Sequence, residues 1–595
     1  MQSILNILST IYVLVTFFLI KKSNQKINFL KFFTISIVTL LCYNMVVCLL
    51  FSVIKIPITL QALFVINILI ATIQLIFIIK RKQIQKYSFR KMDAVAIIII
   101  LLTVLILAYF NFGKELDIKY IMTDASTHFM VAKDFYKSDT LLNYVEKFNI
   151  SKGFMIGAYT NTGILFKVFA PFIGETNLYK IFILFDIFTF FLVGISIFNA
   201  IEKNIKTKLN FTITILMIML FMCGYPYNSL IYGYVYLQLG ILIITNIINV
   251  LQYYVENFDK KMLYYLLLLL NFGLFFSYCI FIPIVYTVEF VYIFYKNYKA
   301  DKKIITLKNL AVIGIIFIIP IVCGLYYIII PNIISINNNP EKNKAYIFIE
   351  GYIYRNCWSN FILLLPIAVL CTKKKNDDTF IWILFTSFQI IFMILYFIAI
   401  QKFNLSTYYY YKYNFVLWYL LWYGAIYALN TTEKKINKFI TYYIVIYSII
   451  AFIVTLLGNV EITKELFDND ENITNAFDIY GINKTIAIEI QEDYNKEELE
   501  LLDYIYYNIN LDNSSILLVL KQRQEYWFRA FFNYQNRENL ETKLSTRDVE
   551  KWNNGKYKYL LITYNSLFYE TYQKDIKPGR VLIQNKYGII YENEK

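Results

Sequence analysis

A chain that repeatedly runs for about twenty residues almost without charge needs something other than water to receive those runs. Such runs recur near 4–20, 32–54, 60–79, 94–111, 179–199, 210–222, 235–253, 262–277, 279–296, 310–330, 359–371, 378–400, 414–430 and 437–458. Crossing the roughly 30 Å hydrocarbon layer takes about 20 apolar residues as a helix, the form in which a segment satisfies its own backbone in lipid. The expected fold class is a polytopic α-helical membrane protein with about 14 transmembrane helices. Composition agrees, with 58% hydrophobic and only 17% charged residues. Two of the runs, 210–222 and 359–371, are short, and the stretch from Met262 to Lys296 is divided into two spans. Met1 to Ile20 lacks a basic start and a small-residue cleavage site, so it reads as a first span with an external N-terminus.

Lysine and arginine in the short loops set orientation. Stretches 21–31, 80–93, 200–209, 254–261, 296–309, 372–377 and 431–438 hold 26 basic residues in about 71 positions. The alternate stretches 55–59, 112–161, 223–234, 331–358 and 401–413 hold 12 in about 108. The first set is expected in the cytoplasm and the second outside, together with the C-terminal tail. The formal charge of +15 follows from this asymmetry, because residues 459–595 carry 17 Lys and Arg against 23 Asp and Glu. Nucleic-acid binding is therefore not expected. The chain divides into a transmembrane domain, 1–458, with a large external loop at 112–178, and a soluble extracytoplasmic domain, 459–595. In the latter, a helical stretch at 496–510, apolar runs at 514–520 and 557–565 and a final pair within 581–592 predict a small α/β domain. The seven cysteines lie in or beside the spans and form no disulfide or zinc pattern. Abundant Ile, Lys, Asn and Tyr suggest an AT-rich bacterial genome, hence a bacterial cytoplasmic membrane.

Loops on a rigid scaffold are where functional side chains gather. The 112–178 loop contains YIMTDASTHFMVAKDFYKSD, with the single histidine of the chain, His128, four residues after Asp124. Helical spacing of Phe129, Ala132 and Phe135 or Tyr136 predicts an amphipathic helix lying along the membrane surface. Its plain reading makes Asp124 an N-cap and His128 a surface histidine. A second piece, TGILFKVFAPFIGE (162–175), is too interrupted to span comfortably and is expected in the interface or re-entering. Asp117 is a possible partner for Asp124. Two acids, Asp186 and Glu289, lie inside spans, where they are costly and often functional.

A long external loop with an aspartate just after a span, surface helices, many spans, aromatic and basic external loops and an external C-terminal domain together resemble the GT-C superfamily of membrane glycosyltransferases. The motif YIMTDASTHFMVAKDF carries the resemblance, which implies that Asp124 is the catalytic aspartate and that the substrate is a sugar on polyprenyl phosphate. Members typically place this loop after the first span, whereas here three spans precede the one leading into it. A paired-acid D-x-D is absent from the loop, which favours a metal-free monophosphate donor; no cofactor is expected.

An inverting transfer to a hydroxyl needs a carboxylate base on the acceptor and cations on the departing phosphate. Asp124 is the base, with His128 beside it. Arg355, in FIEGYIYRNCWSNF (348–361), is the one arginine of residues 1–458 outside the cytoplasmic loops and suits phosphate bidentately. Lys412 and Lys402, in QKFNLSTYYYYKYN (401–414), are further phosphate candidates. Glu350, Tyr352, Tyr354, Tyr410 and Tyr411 are expected to line the substrate. The bland alternative for these two loops is an interfacial aromatic belt with snorkelling cations. The expected function is transfer of a sugar from a polyprenyl-phosphate carrier to an envelope polysaccharide or glycolipid on the outer face. A transporter or flippase using Asp186 or Glu289, a polymerase or ligase of lipid-linked glycans and a non-catalytic assembly protein are the alternatives.

Overall fold

The computed structural model describes residues 1–120, 124–141, 156–255, 258–301, 310–311, 314–326, 330, 364–373, 376–403, 407–431, 438–443, 445–446, 494–511, 516–532 and 544–594. Among them, nine helical stretches are long and apolar enough to cross a membrane. The first four helices are α1 (Gln2–Leu19), α2 (Phe29–Val53), α3 (Leu60–Arg81) and α4 (Lys91–Phe112). Next come α5 (Asp124–Ser138), α6 (Ile156–Ile173), α7 (Leu178–Ile201), α8 (Lys208–Met222), the short α9 (Tyr225–Ile231) and α10 (Val235–Gln252). After α11 (Lys260–Tyr278), a 3₁₀ turn at Cys279–Phe281 breaks the apolar run at the place where the sequence reading divides it. There follow α12 (Ile282–Asp301), a π-helical turn (Gly314–Ile318) leading into α13 (Ile319–Gly324), α14 (Asp377–Phe403) and α15 (Thr407–Thr431). The first five residues of the run at 359–371 and most of the run at 437–458 lie outside the described residues, as does the boundary near 459.

Helices α3 and α4 keep Leu69, Ile76, Leu102, Ile106 and Phe110 exposed, as lipid-facing helices do, whereas every residue of α10 is buried. Lipid offers no hydrophobic drive between helices, so polar side chains supply the glue. Along the seam between α7 and α10, Asn246 donates to Ser196 Oγ (3.1 Å), Asn249 to the Ser196 carbonyl (3.1 Å) and Gln252 to the Ala200 carbonyl (2.9 Å).

The basic loops converge on one face. Strands β1 (Ile27–Asn28) and β2 (Tyr87–Ser88) pair in parallel, Asp259 N–H donates to the Lys22 carbonyl, and Arg81 reaches Asp259 at 3.5 Å. Arg90 bridges Asp93 (2.7 Å) and Glu202, and Lys31 donates to Gln252 Oε1 (2.5 Å). At the opposite end of the bundle, Ile58 N–H donates to the Asp139 carbonyl (2.7 Å) and Leu141 N–H to Ser52 Oγ (2.9 Å). The C-terminal domain sits at this second end, with Ile118 bridging Tyr494 and Arg523 donating to the Tyr120 carbonyl (3.2 Å).

That domain contains α16 (Lys496–Asn508), β3 (Ile516–Val519), α17 (Gln522–Phe532), α18 (Thr546–Asn553), β4 (Tyr559–Thr563), α19 (Leu567–Tyr572), β5 (Arg580–Gln584) and β6 (Gly588–Glu592). Its sheet order is β3-β4-β6-β5, parallel between β3 and β4 and antiparallel elsewhere, the α/β arrangement expected from the alternation of apolar runs. Leu517, Val519, Leu560 and Ile562 pack with Trp552 on one face.

The surface-helix expectation for α5 is overturned. Nine of its fifteen residues are buried: Ala125, Ser126, His128, Phe129, Val131, Ala132, Lys133, Asp134 and Phe135. Its amphipathic pattern meets protein on both sides: α6 runs parallel along one side and α17 covers another. At Gly163 of α6 an added Cβ would lie 2.1 Å from the Phe135 ring, so only hydrogen lets the two helices close. Helix α6 in turn reaches into the bundle, where Asn161 donates to the Leu41 carbonyl (3.2 Å), twelve residues or about 18 Å inside the end of α2.

Candidate active site

Asp124 is the first residue of α5, and its side chain is half-buried. Burial holds its carboxyl above the ordinary range, the Lys412 charge offsetting only part of that, and burial likewise pushes the Lys412 amine well below the usual lysine range, with Asp124 raising it in part. His128, one turn along, is buried rather than a surface residue. Burial, then Lys412, push its imidazole down to about 3, so the ring is neutral at physiological pH. Nδ1 lies 2.5 Å from the Tyr159 hydroxyl of α6, and the ring meets Tyr236 edge-on at a centroid distance of 4.6 Å. Nε2 is buried and has no partner among the described residues. A ligand atom or water that paired with Nε2 would relieve a cost of about 1–3 kcal/mol.

Lys412 is fully buried in the second turn of α15, with Nζ 3.0 Å from the Tyr234 ring centroid and 5.8 Å from that of Phe415. An ammonium over an aromatic face keeps favourable electrostatics after losing water. Tyr234 belongs to a chain of rings: Tyr232 stacks on Tyr234 (5.4 Å), Tyr234 neighbours Tyr236 (6.1 Å), and Tyr236 stacks on Tyr278 (5.2 Å). Tyr278 is carried by the end of α11, Tyr236 by the first turn of α10, and Tyr232 and Tyr234 by the turn between α9 and α10. Gly233, at φ +71°, makes that turn and lies against α5, where a Cβ would come within 2.4 Å of Ala125 Cβ. Two segments far apart in sequence, α5 and α15, thus bring a carboxyl group, an imidazole and a lysine amine to the tyrosine turn between α9 and α10. Such a set can accept a proton, orient a hydroxyl and hold an anion.

The remaining sequence candidates divide. Arg355, Glu350, Tyr352 and Tyr354 lie outside the described residues, and so does the Tyr411 side chain. Lys402 is exposed in the last turn of α14 and is not among the charges acting on Asp124 or His128. Tyr410 packs towards Phe397, at 6.1 Å. Asp117 pairs with Lys119 (3.5 Å) rather than with Asp124, because the turn at Gly113 folds it back. Asp186 and Glu289 are fully buried and accept hydrogen bonds from Gln238 (3.3 Å) and Asn271 (2.7 Å). Sequence reading missed Tyr159, Tyr234 and Tyr236. The signal for the latter two was the tyrosine-dense GYPYNSLIYGYVY (224–236), a turn without a single basic residue. A scan against protein-family models finds no match to this chain, and a search of curated proteins finds none either.

Proposed function

We propose that the protein is a membrane glycosyltransferase of the GT-C type, moving a sugar from a polyprenyl-phosphate carrier to an envelope polysaccharide or glycolipid. The observation that carries this reading is the meeting of Asp124, His128 and Lys412 at the end of the bundle that bears the C-terminal domain. In this reading Asp124 takes the proton of the acceptor hydroxyl as it attacks the anomeric carbon with inversion. Lys412 offsets the negative charge gained by the departing phosphate, in a dry site where one cation acts strongly. His128 supplies a neutral polar contact through Nε2, its ring held by Tyr159. No metal is needed for these roles. The proposed topology has about 14 spans, the basic loops in the cytoplasm and both termini outside, which places the site on the outer face of a bacterial cytoplasmic membrane.

The test compares envelope sugar composition in wild-type cells, a deletion strain and a strain expressing Asp124→Asn at normal level. One sugar should vanish in both altered strains and identify the donor. An envelope changed by the deletion but unchanged by Asp124→Asn would remove the base from the mechanism and, with it, this reading.

A further inference from the structure

We infer that Gln238 is a positioning residue for this site, acting through the tyrosine turn on Lys412 and His128. The inference rests on the reading of Lys412 and His128 as working groups. Gln238 is buried one turn into α10. Its Nε2 donates to the Asp186 carbonyl (2.8 Å), Thr189 Oγ1 (2.7 Å) and, more weakly, Asp186 Oδ1 (3.3 Å). Its Oε1 accepts from Ser229 Oγ at 2.6 Å. The amide orientation follows from chemistry, because the Asp186 carbonyl can only accept and so must face the NH₂ group.

One side chain therefore ties α7 to both arms of the turn. Ser229 closes the loop from its other end, its carbonyl accepting from Tyr234 N–H (2.8 Å), while Gln238 N–H donates to the Tyr234 carbonyl (3.0 Å). Between Ser229 and Gln238 lie Tyr232, Gly233, Tyr234 and Tyr236. The Tyr234 face carries Lys412, and Tyr236 carries His128. Replacing Gln238 leaves the fold of α7 and α10 held by the lower rungs, Asn246, Asn249 and Gln252, but frees the turn.

The lower rungs supply the control, since Asn249 sits eleven residues further along the same seam, about 16 Å away by helical rise. Purified full-length protein in detergent is labelled with limiting acetic anhydride, and acetylation of Lys412 is measured by mass spectrometry against Lys586 as internal reference. Gln238→Met, which keeps the side-chain length without the hydrogen bonds, should raise Lys412 labelling several-fold. Asn249→Leu should leave Lys412 labelling at the wild-type level even where it lowers thermal stability as much. Ser229→Ala, removing one contact, should give a smaller rise and serves where Gln238→Met does not fold. Unchanged Lys412 labelling in Gln238→Met and Ser229→Ala, or an equal rise in Asn249→Leu, overturns the inference. Labelling needs no substrate, so a failure of the transferase reading would show only in the envelope sugars. Where that reading holds, Gln238→Met should also lower transfer, and adding it to Lys412→Met should lower transfer by a smaller factor than Gln238→Met does alone, the remainder passing through His128.

Discussion

Substitution of Gly233 by alanine probes the tightest contact between the tyrosine turn and the helix that begins with Asp124. Two costs arise. The φ of +71° is a left-handed conformation, which an alanine adopts at a cost of about 1–2 kcal/mol. The new Cβ would lie 2.4 Å from Ala125 Cβ and 3.1 Å from both Ala125 Cα and Tyr120 Cδ1, so the elements must separate by about 1 Å. Overpacking of this kind costs about 1–3 kcal/mol. The expected loss of stability is thus about 2–5 kcal/mol in total. Ala125 adjoins Asp124, so the shift is passed to the carboxylate, and a displacement near 1 Å can cost on the order of 100-fold in rate. The assay pairs the thermal midpoint of purified protein with transfer of the sugar identified by the Asp124→Asn comparison. A second variant separates the two costs: adding Ala125→Gly removes the Cβ–Cβ overlap but keeps the strained φ. The double variant should regain most of the transfer while staying less stable than wild type. Full activity and stability in Gly233→Ala would refute the packing argument, as would a double variant no better than the single one.

The remaining expectations concern charge. His128, held neutral down to about 3, takes up its proton near pH 6.5 once unfolded, so the unfolded state binds more protons between those values. Stability should fall with pH below about 6.5, by up to roughly 1.4 kcal/mol per unit, and be unaffected above it; unfolding midpoints at pH 5–6.5 should lose this component of the slope in His128→Gln. Lys133, pushed down to about 8 chiefly by burial, gives a gain of stability as pH rises from about 8 to 10.5, which Lys133→Met should abolish in the same measurement. Asp186→Asn and Glu289→Gln should each keep envelope sugar composition normal, because an amide oxygen still accepts from Gln238 or Asn271; loss of function in either would favour a titrating, transport-type role.

The helical membrane class was legible because apolar run length and backbone satisfaction in lipid leave few solutions. The gathering of basic loops on one face was legible from charge alone. The burial of α5 was not, since an amphipathic stripe looks the same whether its polar side meets headgroups or a folded-back domain. Lys412 could be chosen by residue type and face, but nothing in QKFNLSTYYYYKYN separates it from Lys402. Helical phase makes the separation: Lys412 turns inward onto Tyr234, while Lys402 ends a different helix. Tyr159 was out of reach for a related reason, because its role depends on α6 lying parallel to α5, a tertiary fact without a local signature.

The C-terminal domain belongs to the site's construction through the same helix. Phe129, the residue after His128, packs on Trp527 (5.6 Å) and Phe531 (5.4 Å) of α17. Tyr120, four residues before Asp124, stacks on Trp527 at 6.1 Å. Lys133 donates to the Phe531 carbonyl at 2.5 Å, placing a cation at the C-terminal end of α17, where the helix dipole is negative and carbonyls lack intrahelical partners. Remove the domain, and an aromatic face and a lysine on α5 lose their cover together. Helix α5 carries both Asp124 and this covered face, so the domain's docking and the placement of Asp124 are mechanically one event. Anything that loosens α17 must therefore be felt at Asp124 before it is felt at Lys412, which is anchored separately on α15 and on the tyrosine turn.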